Sequence, residues 1–410
     1  MFEAETVWEF SMADRVKFGT GAIDELAAEL DDLDCSAAMV VTDEGVFAAG
    51  IADEVIDALP DDAEHAVFSD VQPDPSVDVY EAAVEFAAEF DPDVIVGVGG
   101  GSSLDVAKTT GIVHEHGGDI LDYVAPPTGE GKAIPDPGVP TIAVPTTSGT
   151  GSETSPVTVI SLPDKKLKVG ISSRHQYPNL AVIDPALTVS LPPGPTAASG
   201  MDALTHAIEA FTTRPYDAKP RPDSPDERPD YDGRNPFTDQ LARKAIDLIS
   251  DNLRRAVNNG EDLEARRNMA LASMLAGIAF TNAGVGATHA IAYPVAGEYH
   301  TPHGETVATL LPEVMRFNAP SAFERYGEIA ELMGENVDGL SRDERADRAA
   351  EAVSKLSDDV GIPQGIEAFG VDEDAIEQLA ADTMEIQRIL VGNPRRVEQT
   401  DVEGILRRSL

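Results

Sequence analysis

The sequence holds one cysteine, Cys35, one tryptophan and only 5% aromatic residues in a length of 410. A single thiol excludes an intramolecular disulfide and fits a reducing compartment, so a cytoplasmic location is expected. Cys35 itself reads as a small core or surface residue. Basic side chains are scarce too, with 30 Lys and Arg against 73 Asp and Glu, for a formal net charge of −43. Such a charge repels a phosphate backbone, which excludes nucleic acid as an expected partner. No apolar run nears the roughly 18 residues a membrane span needs. The first residues, MFEAETVWEF, have neither the basic nor the apolar region of a signal peptide, so no membrane partner is expected either.

The acidic excess is not that of a disordered chain, because 42% of the residues are hydrophobic and fall in periodic segments. It matches the solvated shell of a folded protein adapted to high salt, where carboxylate repulsion is screened over roughly 3 Å at 1 M. A chain of this length carries more than one core, and two domains are expected.

The first half alternates short apolar runs with amphipathic segments. AAMVV, HAVFSDV, DVIVGVGGG and PTIAVPTT read as buried strands, and AIDELAAELDDL, IADEVIDALP, VDVYEAAVEFAAEF and a stretch from Ser103 onward read as helices. A parallel sheet covered on both faces produces this pattern, so residues 1–195 are expected to form an α/β, Rossmann-like nucleotide-binding domain. Beyond the proline-rich joint LPPGPT the strand pattern stops. The segments TAASGMDALTHAIEAF, PFTDQLARKAIDLISDNLRRAV, LEARRNMALASMLAGIAF, GETVATLLPEVMRF and SAFERYGEIAELMG all repeat at 3.6 residues, giving an all-α domain over 196–410. The Pro-, Asp- and Arg-rich stretch between the first two of these reads as a long surface loop.

Three segments of the α/β half point to a dinucleotide. In DVIVGVGGGSSLDVAK a strand runs into Gly99, Gly100 and Gly101, then Ser102 and Ser103 and a helix. Glycines let backbone amides approach a phosphate, and the helix N-terminus adds partial positive charge. The Lys-Ser/Thr ending of a Walker loop is absent, and a merely tight turn is the plain alternative. Asp43 closes the strand VVTD, where it reads either as a helix cap or as a ribose ligand that repels the 2′-phosphate of NADP. VPTTSGTGSE offers the hydroxyls of Thr146, Thr147 and Ser148. Parallel strands present their carboxyl ends together, which brings the three segments to one sheet edge.

The helical half carries the candidate metal ligands. Asp202 and His206 in MDALTHAIEAF are four residues apart and share a helix face. Burying them unpaired is costly, and a shared cation or a plain Asp–His hydrogen bond resolves that cost. His289 and Tyr293 repeat the spacing on a second helix, which Pro294 is expected to end. His303 stands in a Pro-His-Gly turn before the next helix. One carboxylate and three imidazoles suit Fe²⁺ or Zn²⁺. Spacing alone does not bring residue 206 to residue 289. His300 is read as a substrate contact or a rim residue, and His65, His114, His116 and His175 as solvated.

Taken in order, GGGSSLDVAK, VPTTSGTGSE, MDALTHAIEAF and the histidine element ending in TPHG resemble the iron-containing, or group III, alcohol dehydrogenases over nearly the whole chain. The resemblance implies the fold shared with dehydroquinate synthase and metal ligands at Asp202, His206, His289 and His303. It places NAD contacts at Asp43, Gly100, Gly101, Ser102, Thr146, Thr147 and Lys168. It also implies a small-molecule alcohol or hydroxyacid substrate, and a homodimer or larger homo-oligomer. Residues 214–234 stand as an insertion. Tyr293 replaces a histidine found in many members, and Tyr-Pro there is similar to the hydroxyacid-oxoacid transhydrogenase branch. That branch moves hydride from 4-hydroxybutyrate to 2-oxoglutarate through tightly held NAD. Tyr293 therefore joins the candidate catalytic residues beside the four ligands, although a phenol with pKa near 10 is a poor base at neutral pH. A lyase of the dehydroquinate synthase type is the rival from another enzyme class.

Overall fold

The computed structural model describes residues 7–165, 167–218, 224 and 231–410. Two compact units are present, one formed by Met12–Leu191 and the other by Pro192–Leu410 together with the N-terminal residues through Ser11. Phe10 meets Phe237 edge-on at 4.4 Å, and Ser11 exchanges two hydrogen bonds with the Asn282 side chain. These contacts tie residues 7–11 to the helical unit.

The α/β unit runs β1 (Arg15–Phe18), α1 (Leu26–Asp31), β2 (Ala37–Val41), α2 (Glu44–Ala48), α3 (Ile51–Asp57), β3 (Glu64–Phe68), α4 (Val77–Phe90), β4 (Val94–Gly99), α5 (Gly101–His116), β5 (Thr141–Pro145), β6 (Val157–Leu162), β7 (Leu167–Ser172) and β8 (Leu180–Ile183). Six strands form one parallel sheet in the order β1-β8-β5-β4-β2-β3. Its period of two divides the core: Ala38, Val40, Val96 and Val98 pack with α1 and α3, and Met39, Val41 and Ile95 pack with α4 and α5. Both faces are thus covered, as the continuous apolar runs required. β6 and β7 make a separate antiparallel hairpin, which the sequence reading did not anticipate. α5 begins at Gly101, two residues before the expected start.

The second unit is helical: α6 (Pro193–Thr212), α7 (Pro236–Asn258), α8 (Leu263–Ala283), α9 (Ala287–Tyr299), α10 (His303–Leu332), α11 (Arg342–Asp359), α12 (Ile376–Met384), α13 (Gln387–Leu390) and α14 (Gln399–Arg408). Caps set several starts. Asn235 accepts from the Phe237 and Thr238 amides at α7, and Ser341 and Glu344 form a capping box at α11. Leu204, Ile208 and Phe211 of α6 are buried against Ile246, Ile249 and Leu253 of α7 and Met269 of α8. Each such side chain contributes on the order of 2 kcal/mol through burial. α10 spans two of the periodic segments and bends at Ala322, whose φ of −150° is non-helical. Among the described residues no single helix is long and apolar enough to cross a membrane.

One expectation fails. Pro294 lies inside α9, which continues to Tyr299 and ends at His300 in the left-handed region with φ 53°. A proline ring removes one helical hydrogen bond, but the buried flanks Ala290–Ala292 and Val295–Ala296 keep the helix packed through that gap. The segment 214–234 is described only in part. Its ends are clasped where Arg234 N–H donates to the Arg214 carbonyl and Tyr216 N–H to the Arg234 carbonyl, both at 3.1 Å. Residues 219–223 and 225–230 of the expected loop lie outside the described residues.

Candidate cofactor loop and metal centre

In the α/β unit, the carboxyl ends of β4 and β5 lie side by side, with Gly99 opposite Pro145 and the Thr146 amide donating to the Gly99 carbonyl at 2.9 Å. Gly99 has φ 150°, and a Cβ there would fall 2.5 Å from Ser103 Oγ and 3.2 Å from Asp43 Oδ2. Only glycine fits that corner. Its neighbour Gly101 opens α5 directly beneath Thr150, where a Cβ would stand 2.8 Å from the threonine methyl. Thr147 approaches Gly100 at ordinary contact distance. Asp43, Gly100, Gly101, Ser102, Thr146 and Thr147 are therefore gathered around the start of α5, a long helix whose amides and dipole suit an anion. Asp43 caps α2 through Oδ1, accepting from Val46 N–H at 3.0 Å, and its Oδ2 faces Ser103 Oγ at 3.5 Å. Lys168 belongs to the β6–β7 hairpin. It lies on β7, and its ammonium is paired with Asp74 at 2.6 Å.

Beneath the loop lies a buried charge network that was not read from the sequence. The Lys108 ammonium on α5 is fully enclosed and shares its three N–H groups among the carbonyls of Ser152, Ser155 and Val157 and Ser152 Oγ, with Asp105 at 3.1 Å. Asp105 also accepts from Val159 N–H at 2.9 Å. Together they fasten the segment after Thr150 to α5. Glu153, in the same segment, is 3% exposed, and burial pushes its carboxyl up to about 7 against its own amide and the Lys108 charge. A lysine and an aspartate three residues apart on a helix lined by apolar residues was the available signal.

In the helical unit, Asp202 and His206 project from α6 and His289 from α9, all three buried. Their donor atoms lie within 4.8 Å of one another. Asp202 Oδ1 is 3.8 Å from His206 Nε2, 3.6 Å from His289 Nε2 and 3.8 Å from His303 Nε2. His303 is the first residue of α10, reaches Asp202 at this range and is the more exposed, at 27% of its side chain. Asp202 Oδ1 and His289 Nε2 are buried without a hydrogen-bond partner. A tetrahedral ion with ligands at about 2.1 Å has ligand–ligand edges of roughly 3.4 Å, close to the separations found. The set therefore fits a divalent cation that would satisfy the two orphaned atoms at once.

Electrostatics agree with the geometry. Burial pushes the Asp202 carboxyl up, but the imidazoles of His206, His289 and His303 outweigh it and hold the group below the usual range. Burial pushes His289 down, yet Glu209 and Asp202 carry it up to about 9. The rings are held firmly: His206 stacks on Phe280 at 4.2 Å and on His289 at 4.6 Å. Glu209, present in MDALTHAIEAF but given no role from sequence, binds His289 Nδ1 at 2.6 Å. Its spacing of seven residues from Asp202 and three from His206 puts it on their helix face, which was the missed signal.

Tyr293 lies one turn beyond His289, with its ring 6.0 Å from that of His303. Burial, then Tyr231, Asp202 and Glu209, push the phenol well above its ordinary range, against Arg388. At neutral pH the phenol therefore keeps its proton. His300 caps α9 and is exposed, and no contact of its side chain with the cluster was found among the described residues. Of the other histidines, His65 is exposed, while His114 lies 3.6 Å from Asp91, His116 meets the Asp136 carbonyl at 2.8 Å and His175 is half-buried. Cys35 is half-buried, and burial with Asp93 beside it pushes its thiol up to about 12.

Residues 13–185 match the iron-containing alcohol dehydrogenase family, and residues 232–410 match the C-terminal part of the Fe-containing alcohol dehydrogenase family. The chain is 37% identical over 393 residues to the NAD-dependent methanol dehydrogenase of Bacillus methanolicus, covering 96% of this chain and 97% of that one. It is 35% identical over 423 residues to the mitochondrial hydroxyacid-oxoacid transhydrogenase of Xenopus tropicalis, covering 99% and 91%. A crystal structure of 1,3-propanediol oxidoreductase superposes with a TM-score of 0.90 at 36% identity, covering 98% of this chain and 100% of that one. With a parallel α/β unit, a helical unit and a cation-ready cluster of Asp202, His206 and His289, the chain belongs to the iron-containing alcohol dehydrogenase family.

Proposed function

We propose that the protein is an oxidoreductase that transfers hydride between the hydroxyl-bearing carbon of a small alcohol or hydroxyacid and NAD, with a divalent metal, Fe²⁺ or Zn²⁺, held by Asp202, His206, His289 and His303. The observation that carries the reading is the convergence of three imidazole Nε2 atoms on one buried, unpartnered carboxylate oxygen. When bound, the metal supplies Lewis acidity that lowers the pKa of a substrate hydroxyl, and the nicotinamide supplies the hydride acceptor. The chain's own residues bind and orient. Amides at the start of α5, with Thr146 and Thr147, suit a pyrophosphate. Asp43 Oδ2 suits a ribose hydroxyl and disfavours a 2′-phosphate, which supports NAD over NADP. Lys168, whose ammonium keeps further donors beside its pairing with Asp74, suits an additional polar contact to the cofactor. Tyr293, a neutral phenol near His303, suits the donation of a proton or hydrogen bond.

A second reading, hydride exchange between a hydroxyacid and a 2-oxoacid through retained NAD, is favoured by Tyr293 and by the likeness to the transhydrogenase of Xenopus tropicalis. A substrate panel in molar salt separates the two. Steady NADH release from an alcohol or hydroxyacid with added NAD supports the first. Turnover that needs a 2-oxoacid and ignores added NAD supports the second. The expectation of adaptation to salt rests on the net charge of −43. Cytoplasmic residence rests on the single cysteine and homo-oligomerisation on the family resemblance.

A further inference from the structure

Glu209 lies on the α6 face that carries Asp202 and His206 and is 5% exposed. Both of its oxygens are committed across to α9. Oε1 accepts from Thr288 N–H at 2.7 Å, and Oε2 meets His289 Nδ1 at 2.6 Å. The approach is close enough that a Cβ on Gly286 would stand 3.1 Å from Oε1. Asn393 Oδ1 accepts from the next orphan amide, Ala287 N–H, at 3.1 Å. The first turn of α9 is therefore fixed by two side chains, and one of them also grips a candidate ligand. A carboxylate only accepts, so the Nδ1 it touches must keep its proton, and the ring nitrogen that can give up its proton to a cation is Nε2, 3.6 Å from Asp202 Oδ1.

We propose that Glu209 is the positioning residue of the metal centre: it selects the His289 tautomer whose Nε2 is free to ligate and aims that ring at Asp202. The inference rests on the metal reading of Asp202, His206 and His289. Partners of this kind that orient a ligating histidine typically govern about 10–100-fold in metal affinity.

The tautomer role separates from a packing role through two substitutions. In Glu209→Gln the shape is kept. If the amide oxygen accepts from Thr288 N–H, the amide NH₂ faces Nδ1, which must then accept, and the proton moves to Nε2 where the cation belongs. If the amide is reversed, its NH₂ opposes Thr288 N–H and two donors meet. Glu209→Ala leaves a cavity but imposes no tautomer.

Co²⁺ affinity is measured by chelator competition and visible absorption for the wild type, both Glu209 variants and Asp202→Ala, alongside melting of the metal-free forms. The expected result is a 10–100-fold loss of Co²⁺ affinity in Glu209→Gln, at least as large as that in Glu209→Ala, while the metal-free Gln variant melts close to the wild type. Retained affinity in Glu209→Gln with loss in Asp202→Ala would overturn the positioning role and leave the site standing. Loss in Glu209→Ala alone would assign Glu209 to packing. Wild-type protein that binds no Co²⁺, or Asp202→Ala that binds it as well as wild type, would overturn the metal reading and this inference with it.

Discussion

Replacing Glu153 with glutamine should change how stability depends on pH without changing shape. Burial raises this carboxyl from 4.5 to about 7 in the folded chain, so between those values the folded state keeps a proton that the unfolded state has released. Stability must then fall as pH rises through that window, because the folded state binds more protons there, and it levels off above about 7. At roughly 1.4 kcal/mol per pKa unit, the full effect is about 3 kcal/mol. Glutamine is neutral throughout and lacks this slope. Other carboxylates, among them Asp202 and Glu209, contribute the opposite slope in both proteins and cancel in the difference. Urea denaturation in molar salt, followed by circular dichroism from pH 5 to pH 8, gives that difference directly. The Glu153→Gln protein should gain on wild type as pH rises, by up to about 3 kcal/mol at pH 8. Two parallel curves would refute the argument that Glu153 is held protonated by its burial beside the Lys108 network.

Two further outcomes concern the cofactor loop. Gly101→Ala should weaken NAD binding about tenfold in a fluorescence titration, roughly 1.4 kcal/mol, because its Cβ forces Thr150 off the start of α5; an unchanged affinity would mean that the loop does not hold the pyrophosphate. Asp43→Asn keeps an acceptor for Val46 N–H and removes the charge, so NADP use relative to NAD should rise at least about tenfold in kcat/KM, and an unaltered ratio would remove Asp43 as the discriminator.

Much of the fold follows from local pattern. The runs AAMVV and VIVGVG are apolar at every position, as a strand covered on both faces requires, and they are the adjacent interior strands β2 and β4. α6 was legible from the period of Leu204, Ile208 and Phe211. The β6–β7 hairpin escaped notice although β6 alternates half-buried and buried residues, because its six residues follow a Ser- and Gly-rich segment and lack a tight-turn signature. Proline reads as a stop from sequence, yet Pro294 is carried within α9 because packing on both sides outweighs one missing hydrogen bond.

At the candidate metal centre, spacing placed Asp202 with His206. The meeting of α6 with α9 is a tertiary fact with no sequence signature. Once the helices meet, Glu209 explains how the meeting is specified: it bonds a backbone amide and an imidazole of the partner helix together. The attachment of residues 7–11 to the helical unit is equally invisible in sequence, since it depends on Asn282 and Phe237 lying more than two hundred residues away.

In the proposed function, Asp202, His206, His289 and His303 hold the divalent ion on which hydride transfer depends. Element analysis of protein purified in molar salt, paired with NADH absorbance on an alcohol substrate, tests it in one preparation. Stoichiometric divalent metal and turnover are expected in the wild type, with both lost in Asp202→Ala while the variant remains folded. Asp202→Ala protein that keeps its metal and its turnover would contradict it.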